Sequence, residues 1–169
     1  VSMYPIASYT SNSTFNVTFS SIPQNFTHLQ LRIFCRVNNG SSTGNIYFNF
    51  NTDNGTNYAS HELYGNGSSA YSASSTSTAY PILAYQVAGT GATNNIYSTC
   101  IVDILDYTNT NKYKTIRQLT GNDQNGSGVV TLGSGLWQNT SAINGITLLP
   151  DGSAFAANSV VSLYGITTA

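Results

Sequence analysis

Charge is what this sequence has least of. Asp, Glu, Lys and Arg make up 7% of its 169 residues, where a globular domain averages about 25%. Five basic residues against six acidic ones leave a net charge of -1. A nucleic-acid partner is thereby excluded, because displacing counterions from phosphates takes a basic stripe. Cysteine is nearly absent too: Cys35 and Cys100 stand alone, without the paired C-x-x-C spacing of a zinc site. No segment approaches the roughly 18 uninterrupted apolar residues of a membrane helix, so no membrane partner is expected. The first ten residues, VSMYPIASYT, lack the basic start and apolar run of a secretory signal. Helical periodicity is missing as well, since no window repeats apolar residues at i, i+3, i+4 and i+7.

What fills the chain instead is Asn, Ser, Thr and Gly, with 12 tyrosines, seven phenylalanines and one tryptophan. Alternation with period two recurs throughout, and it predicts strands at about 3–9, 14–20, 28–38, 45–51, 57–64, 68–77, 81–88, 95–107, 112–120, 128–136, 142–149 and 159–167. Asn-, Gly- and Pro-rich turns separate them. The expected fold is all-β, a two-sheet antiparallel β-sandwich of jelly-roll type, in one domain over 1–169. Residues 28–38 and 95–107 read as the central strands of the two facing sheets. The stretch 67–80, GSSAYSASSTSTAY, reads as an exposed or edge strand. Leu29, Leu31, Ile33, Cys35 and Val37 share one parity, as do Cys100, Val102 and Ile104, so both cysteines face inward; buried free thiols are expected ahead of a disulfide.

Catalysis is poorly supplied. Asp103 and Asp106 are the nearest carboxylate pair, but three residues apart on a strand they should face opposite sides, which suits ion pairs better than a glycosidase cleft. The G-x-S-x-G elbow is absent, and His28 and His61 have no acid-base frame. Residues 48–67, FNFNTDNGTNYASHELYGNG, imitate a calcium loop, with Asn51, Asp53 and Glu62 at suggestive intervals. Gly55 falls at the wrong position for an EF-hand and both flanks read as strands; Asn54-Gly55 between alternating aromatics predicts a hairpin. No catalytic residue, metal or cofactor is expected. Tyrosines are better suited to packing against another protein or a sugar ring, and the candidate interaction surface is Tyr58, His61, Glu62, Tyr64, Asn66 and Tyr71.

Three stretches in order, SSIPQNFTHLQLR (20–32), FNFNTDNGTNYASHELYGNGSSA (48–70) and ILDYTNTNKYKTIRQLTG (104–121), with the ending VSLYGITTA (161–169), resemble a widespread group of small structural proteins of tailed bacteriophages, including those of cyanobacteria. Asn57-Tyr58-Ala59-Ser60 departs slightly from the group's N-Y-S-like segment. The resemblance implies a non-enzymatic virion protein on the capsid or the tail. The resemblance does not settle which; the leading expectation is a capsid decoration, or cement, protein that stabilises the assembled head, with the major capsid protein or other virion proteins as partners. The alternative is a receptor- or glycan-binding module of a tail fibre or tail tip, with a host-surface glycan as ligand. By analogy the chain is expected to associate with itself, as a homotrimer, and to use residues 1–10 as an N-terminal contact arm.

Overall fold

The computed structural model describes residues 1–13 and 15–168. Its twelve strands are β1 (Ser2–Thr10), β2 (Val17–Phe19), β3 (His28–Cys35), β4 (Thr43–Phe50), β5 (Tyr58–Gly65), β6 (Ala70–Thr78), β7 (Ile82–Ala88), β8 (Ser98–Leu105), β9 (Lys114–Asp123), β10 (Gly128–Trp137), β11 (Ile146–Pro150) and β12 (Val160–Thr167). Each falls where alternation places one. The larger sheet has the order β1-β12-β3-β8-β9-β10-β5-β6, the smaller β2-β11-β4-β7. All pairings between named strands are antiparallel.

The order is that of a jelly roll with two insertions. Setting aside β5-β6 and β9-β10 leaves eight strands in two sheets of four, in which β4 and β7 alone are neighbours both along the chain and in space. That is the double Greek key of the jelly roll. The two inserted strand pairs join the same sheet side by side and widen it to eight strands. Between the sheets lies the core, with Leu29, Leu31, Ile33 and Cys35 of β3 and Cys100, Val102 and Ile104 of β8 buried from one side, and Ile46, Phe48, Phe50, Ile146 and Leu148 from the other. Cys35 and Cys100 are free and buried. Removal from water pushes both thiols up, Cys100 to about 12, so neither offers a thiolate.

Three expectations change. Residues 28–38 and 95–107 supply neighbours in one sheet, β3 and β8, with Ile33 opposite Cys100; their similar inward patterns reflect a shared face. Residues 1–10 do not form a free arm, since β1 pairs with β12 from Ser2↔Thr167 to Thr10↔Val160. The segment around Asn54-Gly55 is no hairpin: β4 and β5 lie in different sheets, and the chain crosses between them through residues 51–57. Inward-facing Phe48 and Tyr58 therefore meet across the core, ring centroids 5.8 Å apart at 81°. A two-residue hairpin would have put their strands side by side.

Side chains hold this corner. Asn51 and Thr52 take the left-handed conformation at φ 51° and 57°. The Asn51 side chain donates to Ala142 O (2.8 Å) and accepts from the N–H groups of Asn144 and Gly145 (2.9 and 3.0 Å). Asp53 accepts from Trp137 Nε1 at 2.8 Å, Gly55 N at 2.9 Å and Asn57 Nδ2 at 3.0 Å. Tyr58 Oη accepts from Phe50 N at 3.0 Å and donates to Asp53 O at 3.2 Å.

Candidate interaction face

Alternation sorts the six residues expected to form one surface onto two sides of the wide sheet. Along β5, positions 58, 60 and 62 are buried while 61 and 63 are exposed. Tyr58 is fully buried, a core residue stacked on Trp137 with centroids 6.3 Å apart, so it belongs to no surface. Glu62 is buried as well. Tyr64 and Tyr71 do come together, stacked at 5.1 Å, and Tyr85 of β7 joins Tyr64 at 4.7 Å. Asn66 caps the β5-β6 turn, its Oδ1 accepting from the N–H groups of Ser68 and Ser69 at 3.0 and 2.9 Å. His61 is exposed on the other side, in register with Ser134 and Ser74.

The acidic residues that the sequence reading weighed and set aside as ligands or catalysts are engaged in the fold. Asp53 is spent on the corner; burial alone would raise its carboxyl, but hydrogen bonds from Trp137, Asn57 and Gly55 hold it below the usual range. Asp103 accepts from Gln30 Nε2 at 2.9 Å and from Arg117 at 2.7 Å. Asp106 pairs with Lys112, and His28 Nδ1 accepts its backbone N–H at 3.0 Å. The two aspartates do not lie on opposite sides: β8 ends at Leu105, Asp106 turns at φ 49°, and both border one shallow concavity. Each carboxylate has its own cation, the ion-pair role expected of them. Among the described residues no group of three or more His, Cys, Asp or Glu side chains could hold a metal ion.

The outward side of the wide sheet carries a feature that sequence reading missed. Ile101 of β8 pairs with Leu119 of β9, Leu119 with Leu132 of β10, and Leu132 with Leu63 of β5. Four aliphatic side chains on four adjacent strands thus stand in one row, 43%, 54%, 50% and 57% exposed. Beside it runs a polar row at the next outward register: Gln30, Asp103, Arg117, Ser134, His61 and Ser74. On its other flank Phe34, Thr99, Gly121, Val130, Gly65 and Ala70 are likewise in register, with Phe34 stacked on Tyr97 at 5.2 Å. His61, Leu63, Ser72, Arg117, Leu132 and Ser134 surround an open hollow of about 640 Å³ on this face. The sequence carries only a partial signal, in β8, where exposed Ile101 and Leu105 alternate with buried Cys100, Val102 and Ile104 so that both parities are apolar.

Comparison with known proteins adds little. No protein-family model matches the chain, and no curated protein sequence matches it. A solved exo-inulinase from Aspergillus awamori superposes with a TM-score of 0.47 at 12% identity, over 97% of this chain and 29% of that one. This chain therefore spans less than a third of the inulinase. A likeness at that level carries no argument about activity.

Beneath the same strands lies a buried polar cluster. Glu62 and Gln118 flank Gly133 in one row, where a Cβ would fall 2.2 Å from Gln118 Nε2. Glu62 Oε1, Gln118 Nε2 and Thr131 Oγ1 are buried without a hydrogen-bond partner among the described residues. Burial raises the Glu62 carboxyl above its ordinary value, against the hydrogen bond from Ser60 and the attraction of His61. A raised folded-state value means full stability below the unfolded value of about 4.3 and a loss as pH climbs through the folded one. Glu62→Gln should therefore melt higher than the parent at neutral pH and level with it near pH 4. Thermal unfolding across pH 4 to 8 checks this, and a gap that does not grow with pH would rule it out.

Proposed function

We propose that this chain is a non-enzymatic structural protein of a tailed-phage virion, a capsid decoration protein that works through protein docking. The observation that supports docking is the exposed row Ile101, Leu119, Leu132 and Leu63 on a sheet face almost free of unpaired charge. Scattered exposed aliphatics are ordinary, but a contiguous row is the pattern of an interaction site. The virion setting rests on the resemblance of 20–32, 48–70 and 104–121 to phage structural proteins. In this reading the chain associates with itself through the wide sheet. Strand β1 at the opposite edge, exposed along most of its length, and the strand-edge turns meet the major capsid protein.

Its mechanism is mass action. A protein that binds only the assembled head stabilises that state, by about 2.7 kcal/mol per site when present at about 100 times Kd. Low charge suits the task, because contacts made by apolar rows and backbone edges are screened by salt far less than surface ion pairs. Purified protein added to heads that lack it should bind and raise their disruption temperature, with little change between low and high salt. Absence of binding at a large molar excess would end the proposal.

The stacked Tyr64, Tyr71 and Tyr85 favour a second reading, a glycan-binding module of a tail fibre or tip. Tyr71 is 43% exposed and could take a sugar ring on its free face. Glycan-array binding lost in Tyr71→Ala would support it, and no binding to any host polysaccharide would count against it.

A further inference from the structure

The outer face of the wide sheet is nearly its own complement. We infer that it pairs with the same face of a second copy of this chain about a two-fold axis lying parallel to the strands, between β9 and β10. This inference rests on the reading of that face as a docking surface and names its occupant. It stands in place of the threefold cluster expected by analogy with other jelly-roll subunits.

The argument is one of register. A two-fold in the plane of contact and parallel to the strands leaves each cross-strand row at its own height and reverses the strand order, so β9 faces the partner's β10, β8 its β5 and β3 its β6. In the aliphatic row, Leu119 then lies over a second copy's Leu132, and Ile101 over its Leu63. In the polar row, Asp103 comes over the imidazole of a second copy's His61, and Arg117 over its Ser134. In the third row, Val130 fills the space over Gly121, and Phe34 lies over Ala70. Apolar meets apolar, carboxylate meets imidazole, and large meets small in all three rows. Reversing the rows instead, about an axis across the strands, would set Asp103 and Arg117 against Thr99 and Gly121.

Charge and area agree with this choice. The Arg117–Asp103 ion pair, 2.7 Å long, neutralises the centre of the face within each copy, so pairing buries no lone carboxylate there. Arg32 stands at the margin over the Tyr164 ring at 5.6 Å, where its head can stay wet. The six strands that overlap, β3 to β6 in the sheet order, at about 4.8 Å spacing and about eight residues at about 3.4 Å rise make a face of roughly 780 Å². A stable interface takes about 800 Å² from each partner. Aligned sheets stack about 10 Å apart with strands within about 30°, and this pairing takes that arrangement.

Sedimentation of the purified full chain should give twice 18.0 kDa at micromolar concentration. Leu119→Asp, at an exposed position that leaves the fold intact, should weaken association by at least about 100-fold. Cross-linking reads the register. In one chain Ile101 and Leu63 are three strand spacings apart, roughly 14 Å, beyond a bismaleimide of about 8 Å span. The variant with both Ile101→Cys and Leu63→Cys should become a covalent dimer, while either change alone should not; the buried native thiols stay silent. A monomer at 100 micromolar, a trimer, a dimer indifferent to Leu119→Asp, or cross-linking by the single variants would each overturn the inference. If Leu119→Asp abolishes head binding by a chain that is monomeric, self-pairing fails while the docking face stands. If it alters neither association nor head binding, the docking face fails as well.

Discussion

Trp137→Ala should lower the melting temperature by roughly 8–16 °C, the largest loss expected from any single change in the β4-β5 corner. Trp137 is 1% exposed and closes the core between the Phe50 and Tyr58 rings. Emptying such a site costs about 4 kcal/mol, and a domain of this size shifts by about 2–4 °C per kcal/mol. Two milder changes separate packing from hydrogen bonding. Trp137→Phe keeps most of the ring and removes the N–H that Asp53 accepts; Asp53→Asn keeps the shape and removes the charge, at about 2 kcal/mol. Their pH dependence has a definite sign. The folded-state value of Asp53 is lowered, so its contribution is present above the unfolded value of about 3.9 and fades as pH falls through the folded one. Asp53→Asn should therefore be most destabilising at neutral pH and converge on the parent in acid. A pH-independent difference would show that the carboxylate's charge is irrelevant to the corner.

Arg36→Ala is expected to cost about 3 kcal/mol through a different route. Arg36 is 6% exposed, and its guanidinium fork donates to the carbonyls of Thr93 at 3.0 Å, Thr90 at 2.9 Å and Ala92 at 2.6 Å. Removing it takes a donor from three carbonyls of one loop, of which Thr93 O keeps only a 3.4 Å bond from Ile96 N. Arg36→Lys should recover little, because an ammonium cannot reproduce the planar fork. Hydrogen exchange should locate the damage in residues 89–97 before the rest of the sheet opens. Uniform exchange across the domain, or full rescue by lysine, would refute a loop-anchoring role.

Both anchors mark where sequence reading stopped. Period-two alternation located all twelve strands and the inward faces of β3 and β8, because a side chain's parity is fixed locally by the pleat. Which strands pair is a non-local matter. Asp53-Asn54-Gly55 carries hairpin chemistry, yet the chain crosses to the other sheet there, because Phe48, Phe50 and Tyr58 must enter one core from opposite sides. Parity also explains why the proposed surface dissolved: Tyr58 and His61 are three residues apart and so face opposite ways. The aliphatic row was harder still. No single strand shows it, since Ile101, Leu119, Leu132 and Leu63 become neighbours only once the register of four strands is known.

The strand order also sets a clock. During synthesis β1 has no partner until β12 emerges about 150 residues later, roughly 8–30 s at 5–20 residues per second; β2 waits similarly for β11. For that interval the early strands exist as unpaired chain, while β5-β6 and β9-β10 can already close as local hairpins. The exposed positions of β1 mix Ser2, Ser8 and Thr10 with Met3, Tyr4, Pro5 and Ala7, so the waiting strand leaves apolar side chains as well as its backbone in water. The late pairing of β1 is thus a burden on the nascent chain, separate from anything the finished surface does.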